Sequence, residues 1–237
     1  MEKPTKLFVR EEHKVQHVLP VIRGLIADMV GPNASMPILD VRNGPDQRAF
    51  LERTDIDDLA KRGTASPDHV IRIKAKPLVL RKSVWSAGRD AIKAVIDEYA
   101  SQYHAMFDRQ APSADQPKKI LSPDPKTIWM EGIGFIGLGS NAKAASVAGD
   151  LAVQNARVRA IGEDTGGFYP ISEKDLFDCE YWSLEQAKLG KGTPPKMQGR
   201  VVLVTGGAGA IGKAIADAFT ALGAQCFLVD QDQETLN

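Results

Sequence analysis

Residues 205–212 read Thr-Gly-Gly-Ala-Gly-Ala-Ile-Gly, between the apolar run Val201–Val204 and the amphipathic stretch Lys213–Leu222. Glycines at such a turn let backbone amides approach a pyrophosphate with no Cβ in the way. The helix that follows aims its unbonded first amides, and the positive end of its dipole, at the same phosphates. A second apolar run then closes on Asp230. A carboxylate there, about 18 residues past the last glycine, is placed to accept hydrogen bonds from the adenosine ribose and to repel a 2′-phosphate, which favours NAD over NADP. The candidate cofactor-binding residues are therefore Gly206, Gly209, Ile211, Gly212 and Asp230. A glycine pattern alone also describes an ordinary tight turn. The strand before, the helix after and the acid beyond make this one specific.

The rest of the chain predicts an α/β protein. Its plan is a mixed α/β region over 1–190, a Lys-, Gly- and Pro-rich linker over 191–200, and the opening, incomplete by itself, of a Rossmann-type parallel sheet over 201–237. Val15, Val18, Leu19, Ile22, Leu25, Ile26 and Met29 follow helical spacing, with Pro20 expected to divide the stretch. Residues 31–53 read as irregular apart from a short strand at Ile38–Val41. A short helix follows, capped by Thr54 and closed by Gly63. Val70, Ile71 and Ile73 suggest a strand entered from Ser66-Pro67-Asp68, and residues 77–81 suggest another. A long helix is expected over about 86–109. Ile128-Trp129-Met130 reads as a strand running into Gly-Ile-Gly-Phe-Ile-Gly-Leu-Gly at 132–139, with a helix from Ser140. Residues 157–161 also alternate like a strand. Ser172 and Asp175 frame a capping box for a helix through Leu189 that Gly190 stops.

Several other residues invite chemistry. Gly132, Gly134 and Gly137 form a second G-x-G-x-x-G after a strand; no second strand ends in acid at the right spacing, so a structural turn is favoured over an anion site. His13 and His17 share a helical face but have no third ligand near in sequence, which favours a solvated face over a metal grip. His69, ahead of Arg72, Lys74 and Lys76, reads as a loop histidine bonding backbone, with a sugar-phosphate contact as the alternative. Phe177, Tyr181 and Trp182 suggest an interdomain packing face. Lys188, Lys191 and Lys196 read as solvated linker charge. No residue is assigned as catalytic or as a metal ligand.

Thr205–Gly212 resembles the short-chain dehydrogenase/reductase family. Gly206, Ala210 and Gly212 satisfy its TGxxx[AG]xG pattern, and Gly206, Gly209 and Gly212 satisfy the TGxxGxxG version. The family's Tyr-x-x-x-Lys pair has no counterpart: Tyr99, Tyr103, Tyr169 and Tyr181 are followed four positions on by Tyr103, Phe107, Glu173 and Glu185. Its NNAG segment is absent as well. Three further phrases, Arg62–Arg72, Gly132–Gly139 and Asp175–Leu189, together with this turn, resemble bifunctional class II aldolase/short-chain dehydrogenases of the rhamnulose-1-phosphate aldolase/lactaldehyde dehydrogenase kind. The resemblance runs from about Val21 to Asn237. It implies a sugar-catabolic enzyme that splits a sugar phosphate by retro-aldol cleavage and oxidises the aldehyde with NAD. It also implies a divalent metal, usually zinc, held by an HxH pair and a further histidine upstream; this chain has no HxH. The expectation is an internal fragment, inactive by itself and binding NAD weakly or not at all. The alternative is a non-catalytic nucleotide- or partner-binding module completed by a separate chain. A homo-oligomer or a complementing chain is the expected macromolecular partner.

The bulk numbers exclude other classes. Thirty basic and thirty acidic side chains balance, so nothing argues for nucleic acid or an anionic membrane surface. Cys179 and Cys226 stand in no metal spacing, as in a reducing compartment. The N-terminus lacks an apolar signal core, and no uncharged run reaches the roughly 18 residues a membrane helix needs. A cytoplasmic location is expected.

Overall fold

The computed structural model describes residues 6–32, 34–187, 193–232 and 235; side chains are described from Val15 onward, apart from Glu185 and Ala187. Helix α1 spans Lys6–Val30, followed by strand β1 (Ile38–Arg42) and helices α2 (Pro45–Leu51), α3 (Ile56–Lys61) and α4 (Val70–Ile73). Then come β2 (Leu78–Leu80), α5 (Lys82–Ala87), α6 (Arg89–Gln110), β3 (Thr127–Met130), β4 (Gly134–Gly139) and α7 (Ala142–Asp164). Helices α8 (Glu173–Glu180) and α9 (Ser183–Ala187) precede the final unit, β5 (Val201–Thr205), α10 (Ala210–Ala221) and β6 (Gln225–Val229). The α/β expectation holds.

The first four strands form one sheet in the order β1-β4-β3-β2, antiparallel except for the parallel β2–β3 pair. Side chains alternate across it. Ile128, Met130, Ile136 and Leu138 join Ile22, Leu25 and Ile26 of α1 and Ile92 and Ile96 of α6 in one buried cluster. Trp129 and Phe135 point the other way, to Phe50 of α2, Leu59 of α3 and the alanines of α7. Helices thus cover both faces. Helix α7 lies very close because β4 presents glycine to it: a Cβ on Gly137 would run into the backbone of Ala145 and Gly149, and one on Gly139 into Ala144 and Ala145.

Several expectations are corrected. Pro20 does not divide α1. Losing its N–H destabilises by about 3 kcal/mol, but Ile22, Leu25 and Ile26 just beyond are at most 3% exposed, and burying each contributes about 1.5–3 kcal/mol. Residues 31–53 are less irregular than expected, since α2 forms there behind Pro45. Val70–Ile73 is a helix, because Pro67 opens a 3-10 turn and the three-residue spacing of Val70 and Ile73 buries both. Asp55, not Thr54, precedes α3. Gly63 is there for closeness, since a Cβ would strike Leu176 and Pro170. Residues 134–139 are a strand reached by a turn at Gly132, whose φ is +78°. The helix after them starts two residues late, at Ala142, with Asn141 Oδ1 accepting from Ala144 N at 2.9 Å, and it runs unbroken through 157–161. Ser172 does cap α8, its Oγ accepting from Asp175 N at 3.1 Å. That helix breaks at Tyr181–Trp182; Leu189 and Gly190 lie outside the described residues.

Residues 193–200 carry neither helix nor strand. They are nonetheless tied on both sides. Arg23 donates to Pro37 O at 2.8 Å and to Gly199 O at 2.6 Å, while Met197 N donates to Leu222 O at 2.9 Å. Beyond them β5 and β6 pair in parallel, Val201 opposite Gln225 through Thr205 opposite Val229.

Candidate functional site

The glycine turn wraps directly into α10. Gly206 has φ +67°, in the left-handed region that favours glycine. Gly209 N donates to Gly206 O at 3.1 Å, and Gly209, in extended conformation, precedes the first helical residue. A Cβ on Gly212 would collide with Gly206 O, so only glycine lets the helix fold back onto the turn. Gly207 is similarly confined by Leu228 of β6. The first-turn amides of α10 have no intrahelical acceptor.

Asp230 stands beside this turn. Its Oδ2 accepts from Ala208 N at 3.0 Å and its Oδ1 from Asp232 N at 3.1 Å. Each carboxylate oxygen keeps a second lone pair. The structure therefore brings Gly206, Gly209, Gly212 and Asp230 together. Ile211 also lies in this first turn, with its side chain 79% exposed, so it meets the site through its backbone. The residues fit a dinucleotide in two respects: open space beside the turn at Gly206 and Gly209, and a carboxylate next to the amides.

The other candidates are scattered. Gly134 and Gly137 lie within β4 and open no helix, which agrees with the structural reading of that glycine run. His17 is exposed, and the His13 side chain is outside the described residues. No cluster of three metal-ligating side chains occurs among the described residues. His69 is half-buried with Nδ1 3.1 Å from Asn155 Nδ2; burial pushes its pKa down, against the pull of Asp68. Phe177 and Tyr181 stack at 4.5 Å and meet Phe107 of α6, so their packing partner is α6 rather than a second domain, and Trp182 is 52% exposed. Lys196 is exposed; Lys188 and Lys191 lie outside the described residues. No helix among the described residues is long and apolar enough to cross a membrane.

Sequence reasoning missed a buried polar cluster. Lys74 and Glu180 are 5% and 3% exposed. Lys74 Nζ lies 3.2 Å from Glu180 Oε1 and 3.6 Å from the Tyr103 ring centroid. Tyr103 donates to Glu180 at 2.8 Å, and its hydroxyl also lies 2.8 Å from that of Tyr181. Burial lowers the Lys74 pKa against the opposing pull of Glu180, and burial together with Glu180 raises that of Tyr103. Arg159, 1% exposed, donates to Leu59 O at 2.6 Å and lies over Trp129, and burial pushes its pKa down to about 10. Lys74 and Glu180 are 106 residues apart, so no local spacing signals them.

Residues 13–189, well over half of the chain, match the family described as aldolase class II, second domain. A curated relative, the uncharacterized oxidoreductase YuxG of Bacillus subtilis (strain 168), is 29% identical over 225 residues, covering 92% of this chain and 31% of the relative. The chain thus spans about a third of that relative's length. A match covering 92% of the chain necessarily includes the glycine turn. No solved structure gives a significant match.

Proposed function

The chain belongs to the class II aldolase second-domain family, and we propose that it joins that domain to the cofactor-binding opening of an NAD-dependent short-chain oxidoreductase. In this reading the parent enzyme cleaves a sugar phosphate and oxidises the aldehyde released. The observation that carries it is the turn itself: Gly206 left-handed, Gly212 closed against it, and Asp230 hydrogen-bonded to the loop amide of Ala208. The relative's description as an oxidoreductase supports the same reading.

Bound NAD would supply the hydride acceptor. The chain's own part is to hold it. The amides at the start of α10 face the pyrophosphate. Asp230 accepts from the ribose hydroxyls and repels a 2′-phosphate. Hydride transfer is assigned to none of these residues, because the sequence contains no Tyr-x-x-x-Lys pair.

The test is an amide chemical-shift titration of the chain with NADH and NADPH. At millimolar ligand the amides of 206–212 are expected to shift with NADH and much less with NADPH, and Asp230→Arg is expected to reverse that order. Shifts equal for both ligands, or absent from 206–212, would overturn the reading.

The exposed apolar face of β5–β6 favours a second reading, a module completed by a separate chain. Leu203 and Phe227 on that face are 65% and 56% exposed. Co-purification of a defined partner, lost on Leu203→Ser/Phe227→Ser, is the outcome that reading expects.

A further inference from the structure

A cavity of about 590 Å³ opens between α3, the α4–β2 connection, α6 and α8, far in sequence from the glycine turn. Its size is that of a small-molecule site. Its walls are apolar, with Pro77, Met106, Leu176 and Phe177 among them, and Lys74, Tyr103 and Glu180 are its buried polar residues.

Two observations set this cavity apart from a packing fault. The first is backbone geometry. Lys74 is the one non-glycine residue among those described with positive φ, at +60°. Such a conformation costs of order 1–3 kcal/mol and persists where surroundings enforce it, which happens most at ligand sites. Here it carries an ammonium, which has three donors, to a buried position where, among the described residues, it hydrogen-bonds to Glu180 alone. The second is the charge balance of the lining. Asp57 pairs with Arg81, Glu173 with Arg109, Glu180 with Lys74, and Arg62 with Asp58 and Glu163. Lys61 and Lys76 are exposed and form no ion pair among the described residues. Glu98, whose Oε1 accepts from Gln102 Nε2 at 2.8 Å, is the lining acid without an ion pair among the described residues, so two free ammonium groups face one free carboxylate at the rim, while the buried Lys74–Glu180 end is neutral as a pair and offers a donor beside an acceptor.

We infer that this cavity binds a small organic anion with an apolar body, its anionic group at Lys61 and Lys76 and a hydroxyl or carbonyl oxygen at the buried Lys74–Glu180–Tyr103 end. A neutral oxygen suits that end because a second anion there would lie against the Glu180 carboxylate in a poorly solvated place. The apolar walls take up the carbon skeleton. The inference is independent of the dinucleotide reading, since no residue is shared.

The test is dye displacement on the full chain. 8-Anilinonaphthalene-1-sulfonate, an apolar anion, is expected to bind at one saturable site. Its affinity should fall about tenfold in Lys61→Glu/Lys76→Glu, where two exposed charges are reversed, and comparably in Met106→Trp, which fills the cavity. Phe227→Ser, on the bare sheet face, should leave it unchanged. 3-(4-Hydroxyphenyl)propionate should displace the dye at least about fivefold more tightly than 3-phenylpropionate, because only the former reaches the buried pair. Lys74→Met/Glu180→Gln, which neutralises both partners, should erase that difference. Absence of a saturable site, or binding that follows Phe227→Ser instead of the cavity variants, would overturn the proposal. Equal displacement by the two acids in the unsubstituted chain would overturn its assignment of the buried end.

Discussion

In the four-stranded sheet, β3 and β4 have an apolar layer on each side, whereas the β5–β6 pair is covered by α10 on one face and bare on the other. Ile128, Met130 and Ile136 are at most about 0% exposed, while Val201, Leu203, Phe227 and Val229 are 48%, 65%, 56% and 48% exposed. The difference is one of layers. A parallel pair is stable when helices cover both of its faces, and α10 is the helix seen on β5–β6. The first region completes its own burial and hides charges within it; the second shows solvent the same residue types that the first buries. Cooperative stability is accordingly expected from the residues before the linker, where both faces of the sheet are covered.

The sharpest way to break this contrast is to place the same fault in each region. Gly137→Val pushes side-chain atoms into the backbone of α7 and is expected to abolish the cooperative urea transition. Gly212→Val pushes into the Gly206 backbone and is expected to disturb the turn alone, leaving the transition of the larger unit within about 0.5 kcal/mol. Equal collapse in both variants would show that the two regions fold as one. Next in size is Glu180→Ala, which strands the buried Lys74 charge and should lower stability by about 3–5 kcal/mol in urea melts. Adding Lys74→Met should recover most of that loss; no recovery would mean that packing, not charge, accounts for it.

Arg23→Ala tests the junction. It removes the bonds to Pro37 O and Gly199 O, a loss of about 1–3 kcal/mol for charge-assisted bonds. Amide exchange should quicken over 197–205 and stay unchanged in β3 and β4. Equal quickening in both places would make the junction part of the global core. The smallest effect concerns His69. Burial lowers its pKa in the fold, so the unfolded chain binds more protons and stability rises with pH. The contribution is complete above the unfolded value of about 6.5 and is lost as pH falls through the folded value. His69→Gln, which keeps an acceptor for Asn155, should flatten the melting temperature between about pH 7 and 5.5. An unchanged slope would assign it to other groups.

What the sequence made legible was local. The alternation in Ile128–Met130, the face of α6, the Ser172 cap and the turn at 205–212 each carry their cause within a few residues. Pro20, Val70–Ile73 and Gly63 read wrongly because a partner distant in sequence decided them: the sheet beneath α1, the core beneath α4, Leu176 against Gly63. The Lys74–Glu180 pair was invisible for the same reason. Asp230 was legible as a candidate because β6 is short and ends where its apolar run ends, but its bond to Ala208 required the folded turn.

The close seating of α7 on β4 carries a lesson for anyone surveying relatives of this chain. Substitution tolerance should vanish at Gly137, Gly139 and Gly212, where a side chain would meet protein backbone, and equally at Gly206, where the neighbouring space is open and the left-handed backbone alone calls for glycine. An invariant column would look identical in the two cases. Only the response to an added dinucleotide tells a vacancy meant for a guest from one already filled by a neighbouring helix.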